Sequence, residues 1–272
     1  MTYFGFLLRF LVIPILIFLV ITYLDHKNKL HAKDFRNGRA VWIAIAVHIV
    51  LAVVYTTPWD NYLVATGVWY YNPDLVTGVL LGYVPIEEYT FFVLETILSG
   101  LWWWFLARRL STPQTEFKFN KKIVYGAAGV LIITWLIFTW LFFFGDPQWT
   151  YLSITLFWAL PAILPQLLYG ADILWHYRRL VFLGIFVPGL YLSLMDIVAL
   201  TDSTWSIAKD QTTGILFFGI LPLEEVVFFF ITNVLIVFGM TLLLANAGQE
   251  RLVQIKQIIA KWRNHERETK AV

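Results

Sequence analysis

Cysteine is absent from all 272 residues, which removes disulfides, thiolate nucleophiles and thiolate-held metals together. Charge is scarce as well, with 14% charged residues against 59% apolar. A soluble domain of this length carries about a quarter charged residues. The deficit and a mean hydropathy of +0.70 therefore indicate an all-α polytopic membrane protein. No Gly-x-Gly occurs, so a dinucleotide-binding turn is not supported. No basic leader with a short apolar core and small-residue cleavage site is read at the start. The run from Phe4 to Leu24 is instead long enough to span a bilayer and stay there.

Apolar runs predict seven transmembrane helices, at 4–24, 40–56, 76–107, 123–144, 150–169, 180–200 and 213–245. Eighteen of the twenty basic residues then fall on alternate loops and the tail, all but Arg9 and Lys209. By the positive-inside rule those segments are cytoplasmic, the N-terminus outside and the C-terminus inside. Gln249 to Lys270 places Leu252, Ile255, Ile259 and Trp262 at helical spacing among basic residues. This suits either an amphipathic helix on the cytoplasmic leaflet or a solvated tail.

One sentence of the sequence occurs twice. Pro85-Ile86-Glu87-Glu88-Tyr89-Thr90-Phe91-Phe92 returns as Pro222-Leu223-Glu224-Glu225-Val226-Val227-Phe228-Phe229, 137 residues on. Tyr55, Asp60, Trp69, Thr77 and Gly78 return as Tyr191, Asp196, Trp205, Thr213 and Gly214, 136 residues on. Spans one to three thus correspond to spans five to seven. An odd linking span restores orientation, so the expected fold is two parallel three-helix repeats about an axis along the membrane normal. The division expected is 1–110 for the first unit, 111–148 for the linking helix, 149–248 for the second unit and 249–272 for the tail. Spans three and seven are overlong and carry a proline about ten residues in. A non-helical or re-entrant lead-in (76–84 and 213–221) followed by a helix starting at the proline is expected, since proline suits the first helical turn. Both glutamate pairs would then share one depth and face one cavity between the units.

Ionisable side chains inside a membrane are costly and functional by default. Glu87, Glu88, Glu224 and Glu225 are therefore the candidate catalytic residues. Desolvation and like charge favour the neutral acid while a helix N-terminus favours the anion; the first two are expected to win in at least one glutamate of each pair. Such splitting makes an acid and base couple. Asp60, Asp196, Glu95 and Asn233 are candidates to support or orient them. Glu95 lies seven residues after Glu88 on nearly the same face, and its counterpart is Thr232 beside Asn233. Trp69, Trp205, Phe91, Phe92, Phe228, Phe229, Tyr55 and Tyr191 are candidates to bind substrate or shelter a cation, because aromatic faces stabilise positive charge where water is excluded. The structural alternatives are helix capping for the glutamates and packing or interfacial anchoring for the rings. His48 reads as a packing residue and Arg9 as snorkelling or counter-charge. No metal or cofactor is expected.

Tyr55-Thr56-Thr57-Pro58-Trp59-Asp60-Asn61-Tyr62, the two Pro-x-Glu-Glu copies and Thr232-Asn233 resemble the integral-membrane lycopene cyclases. The likeness runs from about residue 1 to 245, in the fused stand-alone form. It implies cyclisation of the ψ-ends of lycopene to β-ionone rings by way of γ-carotene, with the repeated glutamates as acid and base. The partners it implies are lycopene and γ-carotene, membrane lipids and other carotenoid-pathway enzymes; no nucleic acid is expected. Ring closure needs one proton in and one out without net redox change. Clustered aspartates for a magnesium diphosphate are missing, which argues against a prenyltransferase, and span seven has no lysine to form a retinal Schiff base. A proton-coupled transporter and a non-catalytic carotenoid-binding subunit are the alternatives from other classes.

Overall fold

The computed structural model describes residues 1–111, 113 and 117–270, with side chains described up to Lys261. Seven helices are long and apolar enough to cross a membrane: α1 (Tyr3–Lys27), α2 (Arg39–Ala65), α3 (Ile86–Arg109), α4 (Lys121–Phe144), α5 (Pro147–His176), α6 (Arg178–Thr201) and α7 (Leu223–Leu244). An eighth, α8 (Asn246–Lys270), follows α7 after a single residue. Its Leu252, Ile255 and Ile259 are exposed, while the side chain of Trp262 lies outside the described residues.

Helices α2 and α5 run further than the apolar stretches suggest, α2 through Pro58 to Ala65 and α5 through Pro161 and Pro165 to His176. Prolines inside helices leave carbonyls without their usual partner. Pro14 in α1 cannot donate to the Phe10 carbonyl, and α1 forms a π turn over Leu8–Val12 there. The Tyr191 hydroxyl supplies the missing donor, 2.8 Å from the Phe10 carbonyl oxygen. Its repeat mate Tyr55 donates to the matching Trp158 carbonyl at 2.9 Å, where Ala162 stands in place of Pro14.

The two overlong segments each begin as a hairpin. Strands β2 (Leu80–Leu81) and β3 (Val84–Pro85) pair antiparallel before α3, as β5 (Leu216–Phe217) and β6 (Leu221–Pro222) do before α7. Pro85 and Pro222 occupy the N-cap, and the helix starts one residue later. Gly82 and Gly219 turn the hairpins with φ of +72 each.

Strands β1 (Trp69–Tyr71) and β4 (Trp205–Ile207) join the halves. Trp69 pairs with Ile207, Tyr70 with Ser206 and Tyr71 with Trp205. Tyr70 and Ser206 are themselves repeat mates, so this register places a local two-fold axis through the centre of the ribbon. Helix packing follows the same axis. The contacts α1–α3 and α2–α3 match α5–α7 and α6–α7, α3–α6 matches α2–α7, and α3 meets α7. Helix α4 packs on α5 and is otherwise mostly uncovered.

Asn61 clasps the first hairpin to α2. Its side-chain oxygen accepts from the Tyr83 N–H at 2.8 Å and its amide donates to the Tyr89 hydroxyl at 3.0 Å. A Cβ on Gly82 would lie 2.1 Å from that oxygen, whereas one on Gly78 (φ +79) would meet nothing within 4 Å. Both alanine substitutions carry the left-handed penalty of about 1–2 kcal/mol. Gly82→Ala also displaces Asn61 and is expected to lower thermal stability in detergent by more than Gly78→Ala does; equal shifts would show that the clasp contributes nothing.

Candidate active site

The first turns of α3 and α7 carry the two glutamate pairs. Neighbouring residues on a helix do not face the same way. Each pair accordingly splits, and the split is the same in both halves. Glu87 Oε1 accepts from the Thr77 N–H at 2.6 Å and Glu224 Oε1 from the Thr213 N–H at 2.7 Å, so these two side chains tie the lead-ins to the helices they precede. Neither lines the space between the halves. The other oxygen of each is buried without a partner among the described residues.

Glu88 and Glu225 turn inward. The hydroxyl of Tyr3 donates to Glu88 Oε2, joined by the Tyr71 hydroxyl at 3.1 Å. The Tyr151 hydroxyl donates to Glu225 Oε1 at 2.7 Å. Burial, then the charge of Glu88, holds the Tyr71 phenol well above its ordinary value, so it remains a donor. Both glutamates line one small chamber of about 30 Å³ together with Asp196, Trp69, Trp205 and Phe228. That is room for about one water molecule. Phe91 and Phe229 complete the apolar wall.

The aspartates are both wholly buried but differ in their partners. Asp196 Oδ1 accepts from Trp205 Nε1 at 2.8 Å. Asp60, its repeat mate, has no partner on either oxygen among the described residues, and Trp69 Nε1 is equally without one. The ion pairs among the described residues involve Asp25, Asp172 and Asp202 and leave this cluster without a cation. Among the described residues no three such groups are placed to hold a metal ion.

The remaining candidates lie elsewhere. Glu95 meets its repeat mate Thr232, whose hydroxyl is 2.7 Å from Glu95 Oε1. Both line a separate lateral groove of about 260 Å³, with Phe92, Tyr55 and, on the side shared with the chamber, Phe228. Asn233 accepts from Ser99 at 2.7 Å and bonds the Phe229 carbonyl at 2.8 Å, which braces α7 against α3. Tyr55 and Tyr191 spend their hydroxyls on backbone carbonyls, as described above. His48 is buried with Nδ1 2.7 Å from the Ala44 carbonyl. Arg9 reaches back to the Met1 sulfur at 3.4 Å.

Tyr3, Tyr71 and Tyr151 were not among the expected site residues. A signal for two of them exists: Thr2-Tyr3 and Thr150-Tyr151 open α1 and α5 alike, but 148 residues apart.

A curated lycopene beta-cyclase from Halobacterium salinarum is 40% identical over 241 residues, covering 85% of this chain and 90% of the relative. A bifunctional lycopene cyclase/phytoene synthase from Podospora anserina is 36% identical over 209 residues, 74% of this chain and 35% of the relative. The enzyme of that name from Aspergillus oryzae is 30% identical over 203 residues, 74% of this chain and 34% of the relative. No family model matches the chain, and no solved structure matches it.

An outward role for the first glutamate of each pair has a measurable consequence. Glu87→Ala or Glu224→Ala removes the acceptor of a part-buried backbone N–H, a loss of about 1 kcal/mol. Glutamine keeps an acceptor oxygen and is expected to preserve most of the stability. Thermal unfolding in detergent checks the order; alanine and wild type melting together would contradict the lead-in role.

Proposed function

Because the chain belongs to the lycopene cyclase family, it is a membrane enzyme of carotenoid biosynthesis, and we propose that it converts lycopene to γ-carotene and then β-carotene by acid catalysis. The supporting observation is the buried cluster in which Glu88, Glu225 and Asp196 from the two halves meet with no cation among the described residues. Carboxyl groups desolvated beside one another are the usual makings of a proton donor and acceptor couple.

The proposed reaction is balanced in protons. A carboxyl of the Glu88–Glu225 couple gives its proton to the terminal alkene, and the tertiary cation that results is attacked by the next alkene. A carbon–carbon bond closes the ring, and the new cation loses a proton from the ring carbon that bears the chain. Phe91, Phe228 and Phe229 present π faces to the positive charge. Tyr3, Tyr71 and Tyr151 hold the carboxylates in position by their hydrogen bonds. Asp196, anchored by Trp205, and Asp60 are assigned as supporting acids.

Residues 1–110 and 149–248 are taken as the two cyclase units, 111–148 as the linker and 249–272 as the tail. The distribution of basic residues supports an outside N-terminus and a cytoplasmic C-terminus. Lycopene is about as long as the bilayer core is thick, roughly 30 Å. One chamber therefore serves the two ends in turn, with γ-carotene released or turned between them. The transporter alternative needs polar paths to both membrane faces, whereas these buried carboxyls sit together at one end of the bundle.

Pigment analysis in lycopene-accumulating cells tests the assignment. Glu88→Gln and Glu225→Gln are expected to lower β-carotene formation by about 10²-fold or more, the usual range for a general acid or base. Glu87→Gln at equal membrane abundance is expected to keep most activity, and a one-ringed product should precede the two-ringed one. Wild-type turnover by Glu88→Gln, or two-ringed product with no early intermediate, would refute this reading.

A further inference from the structure

The lateral groove that carries Glu95 has a pseudo-symmetric counterpart. Leu51, Ala52 and Tyr55 of the first match Val187, Pro188 and Tyr191 of the second, both sets lining their grooves. Ala162 and Gln166 on α5 likewise match Pro14 and Phe18 on α1. The two volumes are about 260 and 200 Å³.

Their chemistry differs. The Glu95–Thr232 pair lies where the halves meet, yet both side chains line the first groove and neither lines the second. Glu95 is 3% exposed, and its second oxygen has no hydrogen-bond partner among the described residues. At the end of the first groove His48 lies against Gly239, where an added Cβ would come within 2.0 Å of the imidazole Nε2. The residue matched to Gly239 is Trp102, which lines the second groove beside Phe18. The counterpart thus presents hydrocarbon and indole in place of the acid. An engineered apolar cavity of about 150 Å³ holds benzene, so the first groove has room for a methyl-substituted six-membered ring.

The spacing along α3 connects groove to chamber. Seven residues put Glu95 about 10.5 Å from Glu88 along the helix, with Phe91 and Phe92 between them. Carboxyls that act on opposite sides of one six-membered ring in inverting glycosidases stand about 6.5–9.5 Å apart. The separation along the helix is of the same order as that range. Phe228 lines both spaces, so a ring beside it contacts the groove on one side and the acid chamber on the other.

We infer that the polyene end enters this one groove from the bilayer, between α2, α5 and α7, and that Glu95 is the catalytic base of the ring closure proposed above, on which this inference rests. The proton enters from the Glu88–Glu225 side at the terminal alkene. The carbon–carbon bond forms, and the Glu95 carboxylate takes the proton from the ring carbon bearing the chain. The electrons of that carbon–hydrogen bond become the ring double bond. Loss from this carbon gives a β-ring, and loss from the ring methylene on the other side gives an ε-ring. Position of the base therefore sets ring type.

The test uses the full chain in lycopene-accumulating cells, with membrane abundance and melting temperature followed in parallel. Glu95→Gln is expected to cut cyclisation at least tenfold, and the residual rings to include ε-type or otherwise misplaced double bonds. Glu95→Asp should restore β-rings in part. Leu51→Trp, at a 58% exposed position, should lower turnover at least tenfold by filling the first groove, while Val187→Trp, 38% exposed, should leave it unchanged. Purely β-ringed product from Glu95→Gln at wild-type rate, or equal effects of the two tryptophans, overturns the inference. If Leu51→Trp does not accumulate, the ring type made by Glu95→Gln decides alone. Failure of the wild-type chain to cyclise lycopene would instead overturn the function from which this inference starts.

Discussion

The fold is arranged around carboxyl groups buried where two halves meet, held by tyrosine hydroxyls and left without a cation among the described residues. Removing such groups from water is expensive unless hydrogen bonds compensate. The donors here come from the ends of α1 and α5 and from β1, so each acid is held by elements other than its own helix. That requirement explains why the first helix of each half must return to the start of the third. It also explains why the backbone before α3 and α7 is a hairpin. Continuous helix there would carry Thr77 and Thr213 about 15 Å or more along the axis from Glu87 and Glu224, out of reach of their carboxyls.

The two-fold relation doubles this arrangement and then departs from it. Repeat mates meet along the axis: Tyr70 with Ser206 in the ribbon, and Glu95 with Thr232 between α3 and α7. At the axis each residue faces its own repeat mate; two acids there would repel, and here an acid meets a hydroxyl. The departure at Gly239 and Trp102 opens one lateral groove and lines the other with indole. Exact two-fold symmetry would give two equal grooves; the side chains at the axis leave one of them with the acid. A substrate with two identical ends then needs only one place to react.

Much of the fold was legible from residue types alone. Apolar run length gave the helices, and the proline ten residues into two overlong runs marked the change from hairpin to helix. Helix ends were not legible where prolines sit inside them; at Pro161 an indole donor from a neighbouring helix, Trp135 Nε1, satisfies the freed Phe157 carbonyl and the helix continues. The Pro-x-Glu-Glu copies located the acids, but residue order does not tell which member of a pair turns inward; that depends on where the hairpin returns. Tyr3 and Tyr151 escaped notice for a simpler reason. The α1–α2 connection spans residues 28–38, while Tyr177 alone joins α5 to α6. The repeat spacing changes from 148 before that connection to 136 after it, mostly because the first connection is ten residues longer and otherwise through the helix ends, and matching at one spacing misses the tyrosines.

In the proposed reaction ring closure is driven by a proton delivered from these carboxyls, with none of the ring hydrogens supplied by a reductant. Cyclisation of unlabelled lycopene by the purified chain in deuterated water measures this directly. One deuterium per ring formed is expected, carried by the former terminal alkene carbon. Rings closed in deuterated water with no deuterium at that carbon would contradict it.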